Sequence, residues 1–265
     1  MVVGGSNDAV HGVSRPLVLA VIVGGILTAS LTRAETPAGS NVDTRVIVSL
    51  QVRPEALQQW ISGAWQVNPV AAGPSKGANA SVVFVDQQLW LDADGKPMAT
   101  GINRIMALTV PGKHGGTGET ASVVGRIYSA EPSYVPSPYK NAVSATIRRE
   151  RMIKEPNLEP ASGRELWTVR AAGGTAELQF DYQGGLPSRS KGEAKVYSGA
   201  EPTFFRIYRW EQGADVVKSV PDGIDRVQNF KLSVAIPELA KIFDGSERVV
   251  SVTMLPWYLR QVSLP

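Results

Sequence analysis

The chain has 265 residues, a formal net charge of +3 and 43% apolar residues. That composition suits a packed domain, and without a Lys/Arg run it offers no footing for nucleic acid. Zero cysteines and two histidines exclude disulfides, thiol nucleophiles and thiolate metal sites, and leave too few ligands for a histidine zinc centre.

In chain order, Arg15 precedes an apolar run over residues 17–27, followed by Thr32, Arg33 and Ala34. A positive flank, a short greasy segment and small residues two apart form the pattern of a secretory signal peptide over residues 1–34. Cleavage after Ala34 would start the mature chain at Glu35 and place it in the periplasm or outside the cell. The apolar run is too short to cross a bilayer, so no stable membrane span is expected. His11 lies in this leader, and only His114 remains beyond it.

Residues 35–43 read as a polar, flexible start. Residues 45–52 alternate, with Val46, Val48 and Leu50 on one face, which predicts a strand. Pro54 opens a short helix whose apolar stripe is Leu57, Trp60 and Ile61. A Gly/Ala/Pro-rich loop spans 71–79. Strands follow over 81–91, 102–110 and 122–128, the second stopped by Pro111. Asp92, Ala93, Asp94 and Gly95 read as a turn between strands rather than a calcium loop. With no other acidic cluster, neither a metal nor a cofactor is expected.

Prolines at 132, 136 and 138 punctuate the middle. Strands are then predicted over 142–153, 165–171, 175–182, 193–198, 203–211 and 229–234. Ile236, Leu239, Ala240 and Phe243 have helical spacing, closed by Asp244 and Gly245. Residues 248–255 and 257–262 complete the set. The pattern predicts a mainly β fold. A single antiparallel β-cone or barrel-like domain over residues 35–265, with two short helices, is the economical form.

Two loops imitate functional motifs. Gly73, Pro74, Ser75, Lys76 and Gly77 match the letters of a hydrolase nucleophile elbow, but a loop precedes them and a strand follows. A hydrolase would need His114 within hydrogen-bond reach of Ser75. The Gly-rich run from Lys113 to Gly118 lacks the lysine and helix of a phosphate loop and reads as a hairpin tip.

Charged strands pose a sharper question. Successive strand residues face opposite ways, so Arg148, Arg149, Glu150 and Arg151 place charge inward if both faces are covered. An inward arginine is costly unless it meets an acid or an anionic ligand; the alternative is a solvated strand end. Arg206, Arg209 and Glu211, set among Phe204, Phe205, Tyr208 and Trp210, raise the same choice.

The run Gly163, Arg164, Glu165, Leu166 and Trp167 resembles the acetoacetate decarboxylase family. Other segments fall in matching order: the strand and helix over 46–60, the strand over 176–182 followed by Gly184, the stretch 204–207, and the helix and strand over 236–252. The resemblance implies a one-domain β-cone with an interior pocket for a carbonyl- or carboxylate-bearing molecule. Those enzymes form a Schiff base through a lysine of lowered pKa. At the corresponding positions this chain has Ala171 and Ala172, preceded by Arg170. Arg104, Ile105 and Met106 fill the stretch where the family carries a glutamate. The resemblance therefore implies the pocket without the residues of the decarboxylase chemistry, and Lys140 is the one substitute lysine to weigh.

On this reading Arg164, Glu165 and Trp167 line or brace the pocket, Arg164 contacting the anion and Glu165 orienting it or moving a proton, and Arg45 adds a second cation. The expected partner is a small organic acid or ketone, with homo-oligomerisation open. Two alternatives stand beside each other: a lyase-like enzyme, and a non-catalytic β-barrel carrier or periplasmic partner-binding module using Trp90, Trp210 and Trp257.

Overall fold

The computed structural model describes residues 35–135 and 139–265. The expected leader, residues 1–34, and Pro136 and Pro138 lie outside the described residues.

The chain runs through β1 (Thr36–Gln51), the single helical turn α1 (Pro54–Gln58), β2 (Trp65–Val67), β3 (Ala80–Leu91), β4 (Asn103–His114) and β5 (Thr120–Ser129). Next come β6 (Ala142–Lys154), β7 (Ser162–Ala171), β8 (Gly174–Gln183), β9 (Ser188–Ser198) and β10 (Phe205–Ser219). The short β11 (Ile224–Asp225), β12 (Val227–Val234) and the long β13 (Arg248–Leu264) finish it. These strands form one continuous sheet.

The sheet rolls up. Strands β5, β9, β10, β13, β1, β3 and β4 are successive neighbours, and β4 pairs back onto β5. A barrel-like ring of seven strands results, without a free edge between its members. At β5 the sheet also branches: β6 pairs with it and leads to β7, β8 and β12, which cover the outside of the ring. Most neighbours are antiparallel, as the sequence pattern predicts. The β5–β9 and β5–β6 joints are parallel, because β5 serves both the ring and the branch.

Alternation sorts each ring strand into two functions. Val46, Val48 and Leu50 of β1, Val82 and Phe84 of β3, and Met106 and Leu108 of β4 point outward into the layer beneath β6–β8. There Phe84 meets Trp167 with ring centroids 5.5 Å apart. Both rings are fully buried, each worth about 1.5–3 kcal/mol relative to exposure. The intervening residues, Arg45, Ile47, Val83, Val85, Ile105 and Ala107, point into the ring.

Three expectations need correction. Residues 36–43 are not a flexible start but the first half of β1, paired with β13 on one side and, from Ser40, with β3 on the other. Tertiary pairing overrides their weak strand propensity. β4 runs through Pro111 to His114. Pro111 falls where pairing to β3 has ended at Thr109 and pairing to β2 has yet to begin at Gly112, so its missing N–H interrupts neither ladder. The second expected helix is one 3₁₀ turn, Pro237–Leu239. Of its expected stripe, Ile236 and Leu239 are buried and Phe243 is half-buried, while Ala240 is exposed and Ile242 is buried instead.

Candidate functional site

Inward-facing side chains leave the ring hollow. A cavity of about 380 Å³ lies inside it, with contributions from all seven ring strands. One wall is apolar: Ile47, Val83, Val85, Ile105, Ala107 and Val124 from β1, β3, β4 and β5. Trp90 and Tyr134 also line it, their rings edge to face at 5.3 Å.

The remaining wall is cationic. Arg206 and Tyr208 of β10, Tyr258 and Arg260 of β13, and Arg45 of β1 line it together with Tyr139. Their clustering follows from register. Tyr208 pairs with Val262 and Trp210 with Arg260 across β10–β13, while β13 lies against β1. The rings fix the cations in place. Arg45 stacks over Tyr258 at 3.5 Å, and Arg260 over Tyr208 at 4.2 Å. Such stacking orients a guanidinium without consuming its donors.

The three arginines differ in their partners. Arg45 is held by the buried Asp43 through two bonds of 2.6 and 2.9 Å. Arg260 donates to Asn41, a neutral acceptor, at 2.8 Å. Arg206 makes no ion pair among the described residues, and its buried Nε has no hydrogen-bond partner. Among the described residues Asp43 is the only carboxylate bonded to any of the three, which leaves two positive charges uncompensated there.

Titration follows the same asymmetry. Burial pushes the Arg206 guanidinium below its ordinary value, against the smaller opposing pull of Tyr208 and Tyr139. Burial would raise the Tyr208 phenol, but the Arg260 and Arg206 guanidiniums outweigh it and hold Tyr208 below its usual range. Tyr139, 3.2 Å from Tyr208 through their hydroxyls, is raised by burial and by that neighbour.

A second arginine cluster lies between the ring and its outer layer. Arg149 bonds Glu165 at 2.9 and 3.1 Å, Asp86 at 3.1 Å and Thr44 at 2.6 Å. Arg151 also reaches Glu165, at 3.0 Å, and Arg104 reaches Asp86 at 2.7 Å. Burial would lower the Arg149 guanidinium, but Glu165 and Asp86 override it and hold it above its ordinary value. The inward arginine of β6 has therefore met acids. Arg148 and Glu150 pair at the surface.

The run at 163–167 belongs to this layer and not to the cavity. Gly163 is where β6 crowds β7: an added Cβ would lie 2.2 Å from the Met152 carbonyl oxygen. Arg164 points outward, its side chain 52% exposed, and bonds Asp181. Glu165 and Trp167 are fully buried in the filled layer. None of the three is among the residues lining the ring cavity; of the expected contacts, Arg45 alone faces it. Alternation put Arg164 and Glu165 on opposite faces, and neither face is the hollow one.

Lys140 is exposed and pairs with Glu201 at 3.1 Å, outside the cavity lining. Ala171 and Ala172 border a separate surface depression with Tyr128 and Glu238. The Ser75 hydroxyl bonds Ser251 at 2.8 Å and Ser49 at 3.2 Å. The His114 Nδ1 instead accepts from the Gly116 and Thr117 amides, and no bond joins it to Ser75, so the hydrolase arrangement is not formed. Trp90 and Trp210 line the cavity, whereas Trp257 is 39% exposed. The residues missed in sequence were Arg260, Tyr258 and Tyr139. A shared strand face, 206/208/210 and 258/260/262, was the available signal.

No protein-family model and no curated protein matches the chain. Solved structures do. The enduracididine biosynthesis enzyme MppR complexed with pyruvate is similar at a TM-score of 0.59 and 10% identity, over 89% of this chain and 92% of that one. An acetoacetate decarboxylase-like enzyme from Sphingomonas wittichii RW1 is similar at 0.52 and 12%, over 87% and 93%. Acetoacetate decarboxylase from Legionella pneumophila is similar at 0.50 and 9%, over 95% and 96%. At such identities the likeness is one of fold: the chain has a weak, nearly full-length resemblance to acetoacetate decarboxylase-like structures.

Proposed function

We propose that the protein is an exported binder of a small carboxylate-bearing molecule, held in the ring cavity without Schiff-base chemistry. The observation that carries this is Arg206, a guanidinium on the cavity wall with no carboxylate partner among the described residues and an unpartnered Nε. Burying such a charge is expensive, and an anion arriving with two acceptor oxygens removes the cost. Arg260 beside Tyr208 supplies the second cation. The fold likeness to a protein whose structure holds pyruvate, a small carboxylate, supports the same chemistry.

Covalent chemistry through an amine has no group to use here. No lysine is among the cavity-lining residues, and an alanine methyl cannot replace a nucleophilic nitrogen. Borohydride treatment with a β-keto acid is therefore expected to leave the mass of the protein unchanged; a stable adduct on any lysine would restore an enzymatic reading. Export rests on the signal-like segment at 1–34, and recovery of a mature chain starting at Glu35 from periplasm or medium tests it.

Calorimetric titration tests binding. A carboxylate should bind, its uncharged amide should not, and Arg206→Met should weaken the carboxylate by roughly 10–100-fold, the range of a hydrogen bond to a charged group. Equal affinity of acid and amide for the native protein would remove the reading.

A further inference from the structure

The cavity is two-sided in a way that speaks to the ligand beyond its charge, provided that it is the carboxylate site just proposed. Arg206 and Arg260 do not stand at separate ends. Arg206 lies two residues from Tyr208 on the same face of β10, Arg260 stacks over the Tyr208 ring at 4.2 Å, and Tyr139 is in hydrogen-bond reach of the same phenol. They address one point, so they suit one anionic head rather than two. The wall made by Ile47, Val83, Val85, Ile105, Ala107 and Val124 presents aliphatic carbon, with no charged group among these six.

Size gives the second constraint. At ~30 Å³ per water-sized group, 380 Å³ holds roughly a dozen non-hydrogen atoms. A three-carbon keto acid would fill roughly half of that and leave water against the aliphatic wall. A longer hydrocarbon body displaces that water.

We infer that the ligand is an amphipathic monocarboxylate, its head on Arg206 and Arg260 and its hydrocarbon body, roughly eight carbons in all, against the β3–β5 wall. Placement is by contact class: charge meets β10 and β13, carbon meets β3, β4 and β5.

Calorimetry on the full chain with straight-chain acids from acetate to decanoate, plus pyruvate, octanol and octanamide, tests this. Affinity should climb by about fourfold per methylene, the free energy of burying one, and level off near eight carbons. Octanol and octanamide should bind at least about tenfold more weakly than octanoate. Arg206→Met should bring octanoate down to the level of octanol. Ala107→Leu, which fills part of the carbon side, should weaken octanoate while sparing acetate. A flat series with acetate and pyruvate binding as well as octanoate, still dependent on Arg206, would overturn the amphipathic ligand and leave the carboxylate site standing. Absence of any Arg206-dependent carboxylate binding would bring down both.

Discussion

Arg149 and Arg206 are both arginines on strands, both largely withdrawn from water, yet their surroundings push them in opposite directions. Arg149 is held above its ordinary pKa by Glu165 and Asp86. Arg206 is pushed below its own by burial, with phenols but no carboxylate to oppose it. The first closes a layer of the fold; the second is left open toward a cavity. A buried cation whose partners are all protein is structural, and one whose partner is missing marks where a ligand is expected.

This contrast can be broken first at its structural end. Replacing Arg149 with Met leaves Glu165 buried with only Arg151, and Asp86 with only Arg104. Loss of about 3–5 kcal/mol in urea denaturation is expected, the usual cost of removing one member of a buried pair. A change under about 1 kcal/mol would mean that the layer junction is solvated and that the two clusters are alike.

Arg206→Met should behave in the opposite way. Without ligand, the folded protein should be unchanged or more stable, by up to about 1–4 kcal/mol, because an uncompensated charge is replaced by an apolar group of similar length. Substantial destabilisation of the unliganded protein would show that Arg206 has a structural partner after all.

A smaller effect sharpens the cavity electrostatics. Tyr208 is held below its ordinary value by Arg260 and Arg206. Folding thus favours its ionised form relative to the unfolded chain. The stability it adds therefore grows as pH rises through the depressed folded pKa, is complete above the unfolded value near 10, and is lost as pH falls. A bound carboxylate competes with that phenolate for the same cations, so carboxylate affinity should decline as pH climbs toward 10. Tyr208→Phe should flatten the decline, as read by calorimetry across pH. A decline of equal slope in Tyr208→Phe would place the titrating group elsewhere.

Least of all is expected from Arg164→Ala. Its partner Asp181 is half-buried and also accepts from Asn229 at 2.7 Å, and the pair lies outside the cavity lining. Neither carboxylate binding nor the denaturation midpoint should change measurably; a clear loss of binding would return the site to the run at 163–167.

Much of this was legible residue by residue. The strand positions along the chain, the inward question at Arg149 and Arg206, and the place of Arg45 on the first strand can all be read from alternation. What misled was the run at 163–167, the most family-like segment, in which Glu165 and Trp167 pack the layer junction and Arg164 faces outward. Glycine there reflects crowding by β6, and Glu165 serves Arg149 from the neighbouring strand. Trp90 and Trp210 looked like surface aromatics because a strand pattern does not say which of its faces is enclosed.

The sequence by itself determined the strands, their two-residue period, the short opening helix and the absence of thiol chemistry, because each is a matter of neighbouring residues. Only the tertiary structure decided which face of each strand is hollow and which is filled. That choice follows from ring closure, made by β4 returning to β5 and by β13 lying between β1 and β10. The β13–β1 pairing joins the two ends of the chain, and no local pattern encodes the register that sets Arg45, Arg206 and Arg260 around one space.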